Sequence, residues 1–170
     1  MNWLRMGAVA LVGALVAVGP APAAAGVPTD QLKGAVERVL KTLDDPALKG
    51  DGKVGERRQA VRKIANEIFD FAEIAKRSMA RHWQPLSEVQ RTEFVGLFAD
   101  LLERSYISKI ETYGGEKIQY YAERADGDFA TVSTKIITKN GTEVPVDYRM
   151  NRRGDRWLVY DVSIEGVSLV

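Results

Sequence analysis

The chain has 170 residues, of which 45% are hydrophobic and 28% are charged, and it contains no cysteine and one histidine. This composition is typical of one globular domain, and it excludes disulfides, thiolate metal sites and cysteine nucleophiles. With 24 Lys and Arg against 23 Asp and Glu, the net charge of +1 provides no basic excess for binding nucleic acid or an anionic membrane surface.

The first 25 residues have the order of a secretory signal peptide. One charged residue, Arg5, precedes an uncharged apolar run over residues 6–18, and small residues follow over 21–26. The apolar run is too short to span a bilayer comfortably. Ala23 and Ala25 satisfy an Ala-x-Ala cleavage site, and a competing site ends at Ala23. We therefore expect export, removal of residues 1–25, and a single domain over residues 26–170.

The amino-terminal half of the domain has a helical pattern. Between residues 29 and 113 the apolar residues recur every three or four positions, which predicts amphipathic helices. In the first helix we expect Asp30 as the cap, an apolar stripe over residues 32–43, and an end before Pro46.

Two further helices follow a loop rich in glycine and charge over residues 48–55. The first of them should face inward through Val61, Ile64 and Ile68. Asp70 with Glu73 three residues later forms a capping box, which predicts a helix over residues 71–81. Asp70 is therefore interpreted as a cap, not as a catalytic acid.

The longest helix is predicted over residues 88–113. Ser87 and Gln90 form the capping box at its start, and glycines at 114–115 close it. Its apolar stripe is wider than contact on a single side requires, and it consists of Phe94, Leu97, Phe98, Leu101, Leu102, Tyr106, Ile107 and Ile110.

The remaining sequence, over residues 116–164, alternates with a period of two and predicts antiparallel strands. The apolar pattern selects a three-residue loop at 139–141, which pairs Ile136 with Val144, Thr134 with Val146, and Val132 with Tyr148. The same loop type at 125–127 and 153–155 predicts the pairs Tyr120–Val132, Ala122–Ala130, Met150–Leu158 and Tyr148–Tyr160.

This register places one continuous apolar face on a four-stranded meander. The face consists of Ile118, Tyr120, Ala130, Val132, Ile136, Val144, Val146, Tyr148, Met150, Leu158, Tyr160, Val162 and Ile164. Because such a face must be covered, we predict an α+β domain with helices packed on one face of a curved sheet. Its interior can either close as a core or remain open as a pocket.

No residue pattern supports catalysis. Asp161 is expected to pair with Arg149, Glu165 is the single acid of an apolar tail, and His82 has no partner at a catalytic spacing. Phosphate-binding glycine loops, nucleophile elbows and metal-ligand spacings do not occur in the sequence. We therefore predict no catalytic residue, no metal site and no cofactor.

A series of short motifs runs through residues 30–170 in a specific order. They are Phe69-Asp70-Phe71, Ala75-Lys76-Arg77, His82-Trp83, Glu93-Phe94, Leu97-Phe98, Leu102-Glu103, Ser105-Tyr106, Lys109-Ile110-Glu111, Tyr113, Val146-Asp147-Tyr148, Trp157, Tyr160-Asp161-Val162 and Ile164-Glu165-Gly166-Val167-Ser168. In this order they resemble the MlaC, or toluene-tolerance, family of periplasmic phospholipid-binding proteins that assist ABC transport.

The resemblance implies a soluble periplasmic carrier of phospholipid between an outer-membrane lipoprotein complex and an inner-membrane ABC transporter. It also implies an NTF2-like fold with added helices and no covalent chemistry. Hopanoid-associated relatives share the pattern, so a hopanoid-type lipid is an alternative cargo. Family members usually continue through a Tyr-Arg pair and a further helix, whereas this chain stops at Val170. We therefore expect the carboxyl-terminal helix of the family to be missing.

A lipid carrier needs an apolar cavity, because exposing two long acyl tails costs on the order of 20 kcal/mol at about 0.8 kcal/mol per CH2. The residues expected to line it are Phe94, Phe98, Leu101, Leu102, Tyr106, Tyr120, Val132, Ile136, Val144, Val146, Tyr148, Leu158, Tyr160 and Val162. Two alternatives remain. An NTF2-like enzyme acting on an apolar substrate requires an acid in the cavity, and a module that binds another envelope protein requires a filled core.

Overall fold

The computed structural model describes residues 26–170, so the expected signal peptide over residues 1–25 lies outside the described residues. Within the described chain, four α-helices come first: α1 (Val27–Asp44), α2 (Val54–Ile68), α3 (Phe71–Met79) and α4 (Glu88–Glu111). An antiparallel sheet follows, with strands adjacent in chain order: β1 (Lys117–Asp126), β2 (Phe129–Ile137), β3 (Glu143–Arg153), β4 (Arg156–Ile164) and β5 (Val167–Ser168). The predicted α+β class with a helical first half is confirmed, and the two-residue β5 extends the four predicted strands.

Local sequence signals set the starts of α3 and α4. Asp70 Oδ1 accepts a hydrogen bond from the Glu73 backbone N–H at 3.0 Å. At α4 the capping box is complete, since Ser87 accepts from the Gln90 backbone and the Gln90 side chain accepts from the Ser87 backbone. Both predicted helix starts are confirmed, and each helix ends two residues earlier than predicted.

The start of α1 differs from the prediction. The helix begins at Val27, with Pro28 in its first turn, and Asp30 makes no capping hydrogen bond. The cap comes from β1 instead, where the Glu123 carboxylate accepts from the backbone N–H groups of Gly26 (3.2 Å) and Thr29 (2.9 Å). A Cβ at residue 26 would collide with this carboxylate, so a larger residue there would have to displace the Glu123 side chain and with it the cap. The prediction of Asp30 as the cap is therefore wrong, because a residue distant in sequence satisfies the first turn.

The predicted register is correct for the central hairpin only. β2 and β3 pair Val132 with Tyr148, Thr134 with Val146, and Ile136 with Val144. The other two hairpins have two-residue turns, because Asp126 pairs with Phe129 and Arg153 pairs with Arg156. Each turn begins with a glycine at positive φ, 57° at Gly127 and 62° at Gly154, as a tight hairpin with glycine at its first position requires.

Two β-bulges shift the register within the outer hairpins, β1–β2 and β3–β4. One lies between Tyr120 and Ala122 in β1, and the other lies opposite the step from Arg149 to Met150. The predicted pairs that this arrangement contradicts are Tyr120–Val132, Ala122–Ala130, Met150–Leu158 and Tyr148–Tyr160. Between each bulge and its turn, residues of β1 and β4 lie on the opposite face of the sheet from the one predicted. There Glu123 pairs with Val132, and Met150 pairs with Val159.

The core lies between the sheet and the first two helices. Its buried members from α1, α2 and the sheet are Leu32, Ala35, Ile64, Ile68, Ala130, Val132, Val146, Met150, Trp157, Val159 and Val162. The junction between α2 and α3 lies along the edge of β4, where the Asp70 N–H donates to the Val159 carbonyl at 2.8 Å. None of the helices in residues 26–170 is long and apolar enough to cross a membrane.

Candidate functional site

The apolar face of the sheet is not covered evenly. Val132 and Val146, in the middle of β2 and β3, are 0% and 3% exposed. A neighbouring row that pairs across three strands is only half-buried, and it consists of Ile118, Ile136 and Val144. The face is therefore closed at its centre and open at this end, which we call the open end of the sheet.

A cavity of about 540 Å³ lies at the open end, between α1 and β1. Its apolar lining is half-buried and comes from Val36, Leu40, Tyr113, Ile118 and Tyr120. Charged lining residues lie around it, namely Asp30, Lys33, Glu37 and Glu116. Ligand cavities in proteins are typically about 300–1,000 Å³ and mostly apolar, so this volume and lining suit an amphipathic molecule.

Two tyrosines provide neutral polar groups on the apolar face of the sheet, Tyr120 at the α1–β1 cavity and Tyr148 in the central row between Val132 and Val162. Burial, together with the nearby Tyr148 and Glu37, raises the pKa of Tyr120 well above its usual range. Burial also raises the pKa of Tyr148 to about 12. Both hydroxyls therefore stay protonated at neutral pH and can donate hydrogen bonds within apolar surroundings.

A second cavity, of about 600 Å³, lies between α1, α2 and β4 and has a different character. Arg38 and Glu67 line it and form an ion pair at 2.5 Å, and this contact lowers the pKa of Glu67. Gln31 also lines it and accepts a hydrogen bond from the Trp157 backbone N–H at 2.7 Å. Polar side chains of this lining therefore already form an ion pair and a hydrogen bond within the protein. The α1–β1 cavity is the better candidate for an apolar ligand.

The predicted site residues of the sheet separate into two groups. Tyr120 lines the α1–β1 cavity, while Ile136, Val144 and Tyr148 are half-buried residues packed around the core. Three others, Val132, Val146 and Val162, are buried members of the core itself. The structure thus brings Ile136 and Val144 together at the open end, near Tyr120, whereas Tyr148 lies between Val132 and Val162 in the central row. The buried valines lie beneath α1 and α2.

The predicted site residues of α4 lie apart from both cavities. Phe94, Phe98, Leu102 and Tyr106 are half-buried, and Leu101 is 56% exposed. The rings of Phe94 and Phe98 stack with their centroids 5.5 Å apart.

Ion pairs connect α4 to α2. Glu111 accepts hydrogen bonds from Arg58 at 2.8 Å and Arg57 at 3.1 Å, and these contacts lower the pKa of Glu111. Arg62 pairs with Asp100 and Glu103 further along α4. The connection holds the end of α4, and thus Tyr113 that follows it, beside α2.

Leu158 and Tyr160 are a correction to the predicted site. The two-residue turn and the bulge move both residues to the opposite face of β4. There the Arg77 guanidinium lies over the Tyr160 ring, 4.1 Å from its centroid, and Phe129 packs edge-on against it at 6.1 Å. Residues on this face cannot line a cavity beneath α1.

Several residues of the cavity were missed by sequence reasoning. Val36 and Leu40 belong to the apolar stripe of α1. The stripe shows that these side chains face inward, but it does not show that a cavity remains between α1 and β1. Tyr113 follows α4, and its hydroxyl donates to the Glu116 carbonyl at 2.8 Å, which fixes the ring at the cavity. The signal that could have identified Tyr113 is its position between the end of α4 and the two consecutive glycines at 114–115.

Two acids of the sheet, Glu123 and Asp161, have structural partners. Glu123 is brought to the inner face by the bulge in β1, and its carboxylate caps α1. Asp161 is 2% exposed, accepts a hydrogen bond from the Ser168 hydroxyl at 2.8 Å, and forms the predicted pair with Arg149 at 3.3 Å. Among residues 26–170, no group of three or more His, Asp or Glu side chains is arranged to hold a metal ion.

Comparison with known families agrees with the fold and the motif order. The family model described as "MlaC protein" matches residues 33–170. The chain belongs to the MlaC family. Among curated MlaC relatives, the intermembrane phospholipid transport system binding protein MlaC of Haemophilus influenzae is 27% identical over 115 residues, a match that covers 63% of this chain and 54% of that protein.

Two other MlaC-like proteins extend the comparison. The toluene tolerance protein ttg2D of Pseudomonas putida is 24% identical over 148 residues, covering 86% of this chain and 69% of that protein. The solved structure of the phospholipid-binding protein from Ralstonia solanacearum, in complex with a phospholipid, matches with a TM-score of 0.74 at 28% identity. That match covers 85% of this chain and 81% of the Ralstonia chain. The present chain thus spans about half to two-thirds of the curated MlaC relatives and most of the solved structure.

Proposed function

We propose that this chain binds phospholipid, holds the acyl tails at the open end of the sheet, and carries the lipid through the periplasm. The observation that carries the proposal is the likeness, with a TM-score of 0.74, to a protein solved with a bound phospholipid. The α1–β1 cavity supports it, because a half-buried apolar lining adjoins exposed charges.

The energetics of acyl chains favour such a site. Each CH2 group removed from water contributes about 0.8 kcal/mol, so a carrier must hide most of both tails. Val36, Leu40 and Ile118 provide apolar surface within the cavity, and the half-buried Ile136 and Val144 extend it along the sheet. The head group then lies near the charged residues, where it stays hydrated.

The transport route is part of the same proposal. We expect residues 1–25 to direct export and to be cleaved, which releases the domain into the periplasm. There it exchanges lipid with an outer-membrane lipoprotein complex and an inner-membrane ABC transporter, and it forms no covalent bond with its cargo. Family membership supports this route through the named transport system of the Haemophilus relative.

A lipid-transfer experiment tests the proposal. Donor vesicles that contain a labelled phospholipid are mixed with unlabelled acceptor vesicles, with and without the purified protein. The protein should accelerate transfer, and Val36→Trp should slow this transfer several-fold because the larger side chain occupies the cavity. Val89→Trp is the matched control, since Val89 is 77% exposed on α4 and lies outside both cavities.

The outcomes separate the alternatives. Transfer no faster than the spontaneous rate contradicts the carrier function, and equal loss in both tryptophan variants contradicts the assignment to the α1–β1 cavity. Mass analysis of the recovered lipid should show an unchanged molecule, whereas a hydrolysed lipid would support the enzyme alternative.

A further inference from the structure

Tyr120 brings a phenol hydroxyl into the lining of the α1–β1 cavity. It lies in β1 opposite Thr134 and shares the cavity with Val36, Leu40 and Ile118. Its neighbour Tyr121, at the β-bulge, is absent from the cavity lining and is 46% exposed. The backbone therefore fixes which of two adjacent tyrosines faces the cavity.

The hydroxyl of Tyr120 has no hydrogen-bond partner within residues 26–170. The Tyr113 hydroxyl in the same cavity, in contrast, already donates to the Glu116 carbonyl at 2.8 Å. This hydroxyl is not fully buried, so water can reach it while no ligand is bound, and a lipid that displaces this water would have to supply an acceptor in its place. Tyr120 is thus available to a ligand, and Tyr113 is not.

The position of Tyr120 selects the chemical group that it would meet. The face of α1 that lines the cavity combines exposed Lys33 and Glu37 with half-buried Val36 and Leu40, so charged and apolar surfaces meet there. In a glycerophospholipid the ester carbonyls lie between the charged head and the apolar tails. Lys33 and Glu37 lie within 4.0 Å of each other and offer a charged head group both signs of charge, which leaves the uncharged Tyr120 hydroxyl for the neutral ester carbonyl next to the tails.

From this geometry, and on the basis of the proposed function, we propose that Tyr120 donates a hydrogen bond to an ester carbonyl of the bound lipid. Tyr120 is then a specificity-determining residue, and the cavity prefers ester-linked glycerophospholipids. Lipids with ether-linked chains lack the carbonyl and leave the hydroxyl unsatisfied, and a hopanoid with no ester at this depth does the same.

A competition experiment measures this preference directly. Vesicles contain equal amounts of ester-linked and ether-linked phosphatidylethanolamine with tails of the same length, and the lipid extracted by the protein is identified by native mass spectrometry. We expect wild-type protein to take the ester lipid about three- to tenfold in excess, the effect of one hydrogen bond. Tyr120→Phe should take both lipids about equally, while the control Tyr121→Phe should keep the wild-type ratio.

Each outcome decides between the two proposals. If wild-type protein binds both lipids in equal amounts, the role of Tyr120 is overturned while the carrier function stands. An ester preference that persists in Tyr120→Phe also overturns that role. Failure of every variant, including wild type, to take either lipid overturns both proposals. If Tyr120→Phe folds poorly, the wild-type ratio still tests the ester preference itself, because an equal ratio overturns the proposal without any mutant.

Discussion

Two tyrosines on the apolar face of the sheet combine burial with neutrality. Tyr148 lies in β3, where burial raises its pKa to about 12, and Tyr120 is shifted in the same direction. A neutral hydroxyl can remain in apolar surroundings, whereas a phenolate there would be strongly disfavoured. These residues therefore allow an apolar site to contain polar groups without introducing a charge.

The first prediction concerns the alkaline titration of Tyr148. Its folded pKa of about 12 exceeds the unfolded value of about 10, so its contribution to stability is complete below pH 10. That contribution is then lost as the pH rises from about 10 to about 12. Denaturant unfolding across this range should show that the free energy of unfolding of the wild type decreases with pH. The free energy of unfolding of Tyr148→Phe should decrease less steeply. Parallel curves for the two proteins would show that Tyr148 titrates normally.

Secondary-structure elements were predictable where their signals are local. The capping box at Ser87 is present, and at Asp70 the side-chain cap forms, although the Asp70 N–H donates to the Val159 carbonyl and not to Glu73 as a capping box requires. Glu123 caps α1 across 97 and 94 positions of sequence, a distance at which no capping pattern can be recognised. The alternation in β1 also hides its bulge, because one extra residue exchanges the faces beyond it without changing the composition.

The second prediction tests the cap of α1. Glu123→Gln removes the charge that complements the first turn of α1, and it should lower the free energy of unfolding by about 1 kcal/mol. For a domain of this size that loss corresponds to a decrease in Tm of about 2–5 °C in thermal unfolding. Glu143→Gln is the control, since its pair with Lys135 is exposed and should contribute about 0.5 kcal/mol or less. Equal Tm values for wild type and Glu123→Gln would contradict the cap.

The third prediction concerns the attachment of α3 to the sheet. Burial opposes ionisation of Asp70, but hydrogen bonds from the Glu73 backbone, Asn151 and Arg153 outweigh it and lower the pKa of Asp70. A depressed folded pKa gives stability that is present above the unfolded pKa of about 4 and is lost as the pH falls through the folded pKa.

Asp70→Asn isolates that charge, because asparagine is also a good helix cap. Wild-type protein should be more stable than the variant by about 1 kcal/mol at pH 7 in urea unfolding. The difference should shrink below about pH 4, as Asp70 becomes protonated. A difference that stays constant down to pH 2 would show that the Asp70 charge does not contribute.

At the scale of the whole molecule, the core was more predictable than the cavity. The alternation of β2 and β3 placed Val132, Thr134 and Val146 on one face, and the structure buries all three. The same pattern could not separate these from Ile136 and Val144, which share the face and remain half-buried. The difference arises from where α1 lies across the sheet, and a helical period does not determine that position.

The central claim is that the chain holds one phospholipid at the open end of the sheet. Native mass spectrometry of the full chain, exported and purified from cells without detergent, tests it most directly. We predict a bound mass equal to one phospholipid per chain in wild-type protein and in Val89→Trp, with most of that mass absent in Val36→Trp. A wild-type protein that carries no lipid, and takes none from phospholipid vesicles, would contradict the claim.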